Sequence, residues 1–388
     1  MTIVFLSDIP WAGLHQRPQH IVLALAKRWR VLWVEPTTLL KRSYVRPVRV
    51  TENVFVMTVP VIPSNHRFKA VEGIARPLGR VPLVRRLFTL VQHALLLGVL
   101  KRLEMDPKDI GFVVENFRMM DVVKKFQPGF VLFDYIDNAF GFSRMSEHAE
   151  NAWQRTVEDS DMIVVTSPAL ERQVRRVRTG DVFCVGNGVE FKFFAGGGTR
   201  ERPSDLPPGG PVVGYIGAVS RWLDYDLLRF ACGSMEDVRF VFIGPVDTRV
   251  RGTVRTLSRL PNVSFLGFRN YQVLPEYLAC CDACIIPFLR NELTAAVNPV
   301  KLYEYSAQGK PTVVTDFSED LGAFGDAVSI ARTKEEFVSL IRTALGLPAG
   351  EGLRARLVDF ARRNDWDSKT SVIVNLIQQK LSAQRHAS

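Results

Sequence analysis

Lys301 and Glu304 lie three residues apart in the run Asn298-Pro-Val-Lys-Leu-Tyr-Glu-Tyr-Ser-Ala-Gln-Gly-Lys-Pro311. Asn298 suits a helix cap and Pro299 the first helical position, while Gly309 and Pro311 suit a helix end. The apolar residues on either side, Ile285-Ile286 and Thr312-Val313-Val314, read as short buried parallel strands. The order is therefore strand, polar loop, helix, tight turn, strand. A helix that starts at the carboxyl end of a parallel strand offers free N–H groups and a positive dipole to an anion. Lys301 falls in the first turn, where a cation opposes that dipole, and a bound phosphate removes the conflict. Glu304 comes one turn further on, within reach of a ribose hydroxyl pair. The chemistry these types and spacings suit is the binding of a nucleoside phosphate.

Other chemically capable residues cluster at strand ends. Ile110–Val114 runs into Glu115-Asn116, and Phe130–Phe133 runs into Asp134 and then Asp137-Asn138. Polar residues there sit on the ligand edge of an open α/β sheet, although capping of a following helix uses the same residues. Asp159-Ser-Asp161 and Asp224-Tyr-Asp226 have the D-x-D spacing of metal sites, yet one precedes a strand and the other starts a helix, so capping is the expected role. Cys281 and Cys284 form a C-x-x-C without a second pair or a nearby His, which reads as small buried apolar residues. No metal site is expected.

The elements that must position these groups repeat in βαβ order from the start. Thr2–Leu6 is a strand, a helix runs from about Pro18 to Arg28, and Val31–Glu35 is a strand. Gly13 stands alone where a dinucleotide fingerprint would need three glycines. Residues 194–210 are rich in Gly and Pro and read as a linker. After it, Pro211–Gly217 restarts a strand and glycine turn, with Gly217 allowing close approach of backbone to a ligand. The expected division is a Rossmann-like domain over 1–194, a linker over 195–210, a second Rossmann-like domain over 211–365, and a closing helix over 366–388 anchored by Trp366 and packing back on the first domain.

With 388 residues, the chain has room for two such domains. A charged share of 23% with 47% hydrophobic residues excludes a disordered chain. No run of about 18 uncharged apolar residues occurs, so no membrane span is expected. The opening residues lack a basic leader and read as a strand, which predicts a cytoplasmic chain. Five unevenly spaced cysteines suit a reducing compartment. The net charge of +10 is uneven: residues 41–102 hold twelve Lys and Arg against only Glu52 and Glu72. That patch calls for an anionic partner, whether nucleic acid, an acidic membrane surface or an anionic substrate. Residues 69–102 are expected to be helical, with Arg85-Arg86 and Lys101-Arg102 bracketing an apolar stretch. That stretch is either a core helix or an element resting on anionic lipid.

The run from Pro299 to Val314 resembles the nucleotide-sugar site of GT-B glycosyltransferases, especially bacterial ones of the family-4 type, whose pattern is close to P-x-K-x-x-E-Y-x-A-x-G-x-P-V-V. The blocks Tyr215-Ile-Gly, Ile243-Gly-Pro, Asn262-Val-Ser-Phe-Leu-Gly and Leu274-Pro-Glu-Tyr follow the order of that family's donor domain. The resemblance implies two Rossmann-like domains facing a cleft and transfer of a sugar, a UDP-sugar being favoured, to a glycan or lipid-linked acceptor. It implies neither a cofactor nor an obligatory metal. Lys301 and its helix start would stabilise the leaving diphosphate. Gly217, Arg221, Arg269, Arg290, Pro299, Tyr303 and Glu304 are the further donor-side candidates. Gln16-Arg-Pro-Gln-His20 is similar to a block facing the acceptor in such enzymes, which makes Arg17 and His20 acceptor-side candidates beside Asp134.

Two departures bear on mechanism. Retaining members often carry E-x7-E, but the residue eight before Glu304 is Ala296; and the turn after Gly217 carries Arg221 without a following Lys. Residues around Asp137, with Val164–Leu170 and Val185–Glu190, are similar to the inverting glucuronosyltransferase of xanthan synthesis, which implies Asp137 as general base. The expected setting is cell-surface polysaccharide synthesis at the inner face of the plasma membrane, with lipid contact through residues 67–102 and no nucleic-acid partner. The competing readings are an epimerase of the same fold and a non-enzymatic binder of membranes or nucleic acid.

Overall fold

The computed structural model describes residues 1–12, 15–37, 46–61, 81–142, 147–196, 201–346 and 351–387. The chain forms two compact units. Unit 1 comprises Met1–Ile136, Ser143–Val185 and Thr370–Ser388, and unit 2 comprises Asp137–Phe142 and Gly186–Lys369.

In unit 1 the strands are β1 (Thr2–Leu6), β2 (Arg30–Thr37), β3 (Val48–Arg49), β4 (Val54–Pro60), β5 (Ile110–Val114), β6 (Val131–Tyr135), β7 (Met162–Val165) and β8 (Val182–Cys184). Their order is β3-β4-β2-β1-β5-β6-β7-β8, parallel throughout except for the antiparallel pair β3–β4. The helices are α1 (Arg17–Ala26), α2 (Pro82–Arg102), α3 (Met120–Val123), α4 (Glu147–Asp159) and α5 (Pro168–Arg175). In α1 the Gln16 N–H donates to Gln19 Oε1 at 3.1 Å and Pro18 occupies the first turn, so the Gln-Arg-Pro-Gln run closes its own helix start.

Unit 2 takes in the single helical turn Ala139–Phe142 and, from Gly186 onward, carries α6 (Phe191–Ala195), β9 (Val212–Ile216), α7 (Tyr225–Ser234), β10 (Arg239–Ile243), α8 (Arg251–Leu257), β11 (Val263–Gly267), α9 (Leu274–Ala279), β12 (Ala283–Ile286), α10 (Val300–Ala307), β13 (Thr312–Thr315), β14 (Ser329–Ala331), α11 (Lys334–Gly346) and α12 (Glu351–Arg363). Its sheet is parallel, in the order β11-β10-β9-β12-β13-β14. The last helix, α13 (Trp366–Ala387), begins in unit 2, and its residues from Thr370 onward belong to unit 1.

Both sheets grow outward in two directions from their first strand. The winding reverses between β1 and β5 in unit 1 and between β9 and β12 in unit 2, and ligands of open α/β sheets bind at such reversals. The central strands are apolar on both faces because helices cover both. Phe5, Leu132, Ile285, Ile286 and Val313 are fully buried, each contributing about 1.5–3 kcal/mol of apolar burial.

The structure differs from the sequence reading in three places. The units divide after Val185 rather than after residue 194. The described part of the glycine-rich stretch is not a free linker, because Leu206 is buried in the unit 2 core and Asp205 pairs with Arg269. Finally, α2 is long and apolar enough to cross a membrane by length and composition. Arg85 and Arg86 interrupt its apolar run and so hide this from a search for uncharged stretches. Residues 67–80 of the proposed lipid contact, and Lys41 and Arg42 of the basic patch, lie outside the described residues.

The D-x-D triplets do structural work. Asp161 Oδ2 accepts from Val131 N–H at 2.8 Å, and Asp224 Oδ1 caps α7 by accepting from Leu227 N–H at 2.9 Å. Cys281 and Cys284 are buried free thiols.

Candidate functional site

The site builds up from the reversal between β9 and β12. Directly after β9 the backbone reaches Gly217 at φ +148°, a conformation other residues rarely adopt. A Cβ there would stand 2.2 Å from Lys301 Cε and 2.8 Å from its Nζ, so the missing side chain is the space through which Lys301 passes. The turn is fastened by Val219 N–H to Pro245 O at 2.9 Å and by Ser220 Oγ to Asp247 Oδ2 at 2.9 Å.

Helix α10 is held against this turn from inside. The Tyr305 hydroxyl accepts from Ile216 N–H at 2.8 Å and donates to Ile216 O at 3.3 Å. Asn298 does not cap the helix as expected; Pro299 takes the cap position. The Asn298 side-chain carbonyl instead accepts from Asn187 N–H at 2.9 Å and from the Tyr303 hydroxyl at 3.0 Å, anchoring the loop to the Gly186–Gly188 turn. Among the described residues no side chain caps α10; the Leu302 N–H turns back to Pro299 O at 3.1 Å, which leaves the Val300 and Lys301 N–H groups at the helix start available. Gly309, at φ +68°, ends the helix as expected, with its N–H bonded to Ser306 O at 2.8 Å.

Lys301 Nζ lies 5.6 Å from the Tyr215 ring centre and 5.7 Å from that of Phe288, which partly compensate its charge. Among the described residues no carboxylate comes within ion-pair distance of it. Desolvation lowers its pKa, and the Glu304 charge opposes that effect. Glu304 is pushed up to about 7, first by desolvation and then by Glu190, against the pull of Lys301. Both side chains are recessed yet partly reachable by solvent. Tyr271, hydrogen-bonded to Glu190, also feels the Glu304 charge. Glu190 and Tyr271 thus join Glu304 here, and nothing in their sequence spacing announced it.

The segment after β12 runs antiparallel to residues 222–224, with Leu289 N–H bonded to Trp222 O at 2.8 Å and Leu223 bridging Phe288. This brings exposed Arg221 and Arg290 onto adjacent segments. Arg290 pairs with Asp316 at 3.2 Å while remaining 65% exposed, so it stays open to solvent at the sheet edge.

Asp137 is placed with unit 2, not with the first domain where the sequence reading put it. Asn138 Nδ2 donates to Glu292 O at 3.0 Å, and Gly141 closes on Leu293, where a Cβ would meet the Leu293 Cα at 2.5 Å. These residues belong to the loop that leads into α10. Desolvation by the surrounding protein raises the Asp137 carboxyl to about 6. The residue is nonetheless exposed, so what its surroundings support is the upward direction of the shift.

Five candidates sit elsewhere than expected. Tyr303 is buried, stacked on Phe360 at 5.5 Å, so it supports Asn298 from the core. Arg269 gives its guanidinium to Asp205 and to the Tyr277 hydroxyl, the latter at 2.9 Å. In unit 1, Arg17 and Asp134 hold each other: Nη2 and Nε donate to the carboxylate at 2.8 and 3.0 Å, and Nη1 donates to Val185 O at 2.9 Å. With the Arg17 side chain 3% exposed and that of Asp134 0%, the pair braces the end of β6 rather than facing an acceptor. His20 is buried against His15, ring centres 4.4 Å apart, and burial followed by the His15 charge lowers it to about 3, leaving it neutral.

Unit 1 also holds a residue for which sequence order gave no role. Glu115, at the end of β5 beside the reversal, takes a hydrogen bond from Ser7 Oγ at 3.0 Å on Oε2, while its buried Oε1 has no partner. Burial, and then the charges of Asp134 and Asp8, push it well above the usual carboxylate range.

This is the architecture of the GT-B glycosyltransferases, two α/β units each built on a largely parallel sheet. Sucrose-phosphate synthase from Thermosynechococcus elongatus aligns with a TM-score of 0.74 and 16% identity over 98% of this chain and 99% of that one. The E. coli trehalose-6-phosphate structure bound with UDP-2-fluoro glucose aligns at 0.71 with 13% identity, over 98% and 99%. Anabaena HepE in complex with UDP and glucose aligns at 0.68 with 15% identity, over 97% and 99%.

Residues 210–345 match the family described as Glycosyl transferases group 1. The putative teichuronic acid biosynthesis glycosyltransferase TuaH of Bacillus subtilis is 27% identical over 245 residues, and the alignment spans 61% of this chain and 61% of the relative's length.

Proposed function

We propose that the protein is a glycosyltransferase that moves a sugar from a nucleotide-sugar donor, a UDP-sugar being favoured, to a glycan or lipid-linked acceptor in cell-surface polysaccharide synthesis. The observation that carries the reading is Lys301: a recessed ammonium that forms no ion pair among the described residues, beside a helix start without a side-chain cap at a sheet reversal. An anionic diphosphate supplies the counter-charge that this arrangement lacks. The nucleotide named in two of the structural relatives, UDP, supports the donor class. The teichuronic acid assignment of TuaH supports the pathway class.

In this reading the acceptor hydroxyl attacks the anomeric carbon while the bond from that carbon to the diphosphate oxygen breaks. Charge accumulates on the leaving diphosphate, where the Lys301 ammonium and the Val300 and Lys301 N–H groups at the start of α10 oppose it. Glu304 holds the ribose hydroxyls, with Tyr271 and Glu190 beside it. Arg221 and Arg290 supply further positive charge at the rim. Asp137 takes the acceptor proton, its raised pKa suiting a base near neutral pH. Inversion at the anomeric carbon follows from that single-base arrangement. The reaction is read as metal-independent and cytoplasmic.

The test is a thermal-shift screen of UDP-, GDP- and dTDP-sugars, since a ligand bound to the native state raises Tm. A UDP-sugar response that Lys301→Met abolishes supports the reading, and no response to any nucleotide overturns it. Product analysis after incubation with the UDP-sugar alone separates transfer from epimerisation, because only an epimerase converts its substrate unaided.

A further inference from the structure

Helix α2 turns an apolar stripe to solvent. Leu83 is 75% exposed, Leu87 59%, Leu90 50% and Val91 40%, and their spacing puts all four on one face. Lys101 continues that face at the carboxyl end, exposed Arg86 flanks it, and α2 contains no acidic residue. Its opposite face is committed to unit 1. Gln92, Leu96, Val99 and Leu100 are buried, Gln92 Nε2 donates to Pro60 O at 2.7 Å, and the His93 ring packs on Phe126 at 4.8 Å. A core helix would bury both faces, and a helix crossing a bilayer would have to give up these contacts.

We propose that α2 is a docking surface for an anionic lipid bilayer, lying along the membrane with the Leu83–Val91 stripe sunk below the headgroups. Arg86, Lys101 and Arg102 would lie at headgroup level, where they meet acidic lipid. The same charges argue against a second copy of the chain as occupant. A two-fold contact through this stripe would bring like charges from both copies together, with no acid on the helix to answer them.

The full-length protein is tested by flotation with phosphatidylcholine vesicles and with vesicles containing 30% phosphatidylglycerol. Binding is expected to the second kind only and to weaken in 0.5 M NaCl. The double variant Leu87→Ser/Leu90→Ser is expected to reduce partitioning by about a hundredfold, and Arg86→Glu/Lys101→Glu by roughly tenfold or more. Val372→Ser, at an exposed apolar position on α13, is expected to change nothing. Circular dichroism of each variant checks that the fold is intact. The proposal is overturned by absence of binding to acidic vesicles, by binding indifferent to the leucine changes, or by protein that resists alkaline carbonate as a spanning helix would. A dimer without vesicle affinity, dispersed by the same leucine changes, also overturns it.

Discussion

Asn138 donates a hydrogen bond from its side-chain amide to the backbone carbonyl of Glu292, joining residues 154 positions apart. The bond ties the segment carrying Asp137 to the loop that runs into α10 and Lys301. A proposed base and a proposed phosphate ligand are thereby built onto one unit. Asn138→Ala should cost about 1 kcal/mol of stability or less, the net value of a partly exposed hydrogen bond. Its larger effect should be kinetic: kcat lower by roughly tenfold or more with donor Kd unchanged, as expected when a base loses its placement. Equal loss of kcat and of donor affinity would instead mean that the loop itself had collapsed.

Asp137 should govern the acidic limb of the rate profile. A base works deprotonated, so with its carboxyl raised above the ordinary aspartate range the rate should climb as pH rises through the raised pKa and level off above it. Asp137→Asn should lower turnover by about 10²–10⁴ and remove the limb, while UDP binding measured by calorimetry stays intact. Near-normal turnover in a folded Asp137→Asn protein would take the role away from this residue.

Much of this arrangement is legible in the sequence because local rules set it. The βαβ order, the strands around Ile285 and Val313, and the end of α10 at Gly309 follow from apolar runs and from glycine and proline placement. Long-range pairings are different. Arg17 and Asp134 are 117 positions apart, and each alone looks like a polar residue at a ligand edge. Only their mutual contact shows that they satisfy one another. Tyr303 fits the family-like pattern equally well whether it faces a ligand or stacks on Phe360; tertiary packing chose the second. The pairing of Asn138 with Glu292 likewise moves Asp137 to a unit that sequence order does not suggest.

Gly217 and Lys301 should be energetically coupled. Gly217→Ala sets a methyl group 2.2 Å from Lys301 Cε and forces a side chain onto a backbone at φ +148°. The single variant should be destabilised and should lose donor binding. Adding Lys301→Ala removes the clash but leaves the backbone strain, so the double variant should be more stable than additivity predicts, by about 0.5–3 kcal/mol in a denaturation cycle. Strict additivity would show that the lysine does not pass over the glycine.

Lys301→Met should separate stability from binding. A desolvated ammonium with no ion pair among the described residues, offset only in part by the Glu304 charge, is costly to fold, so an apolar side chain of similar length should leave Tm equal or raised. UDP affinity should nevertheless drop by roughly tenfold to a hundredfold, the scale of one lost hydrogen bond to a charged group. A variant that loses Tm and keeps UDP affinity would reverse the assignment, making Lys301 a structural residue.

Glu304 should give two opposite pH trends. Its folded-state pKa is raised from 4.5 to about 7 by desolvation and by Glu190, with Lys301 opposing and Tyr271 adjacent. Between those values the folded protein holds a proton that the unfolded chain has released. Its contribution to stability is therefore fully present below about 4.5 and is lost as pH rises through 7. Donor binding should run the other way, because the carboxylate accepts ribose hydroxyl bonds best when ionised, so UDP affinity should rise through the same window. Glu304→Gln should flatten both curves between pH 4.5 and 7.5 relative to the parent protein. Denaturant titrations and calorimetry at matched pH read the two trends separately. If the parent's affinity fell across that window while its stability also fell, the carboxylate would not be the ribose ligand, and Tyr271 or Glu190 would become the next residue to vary.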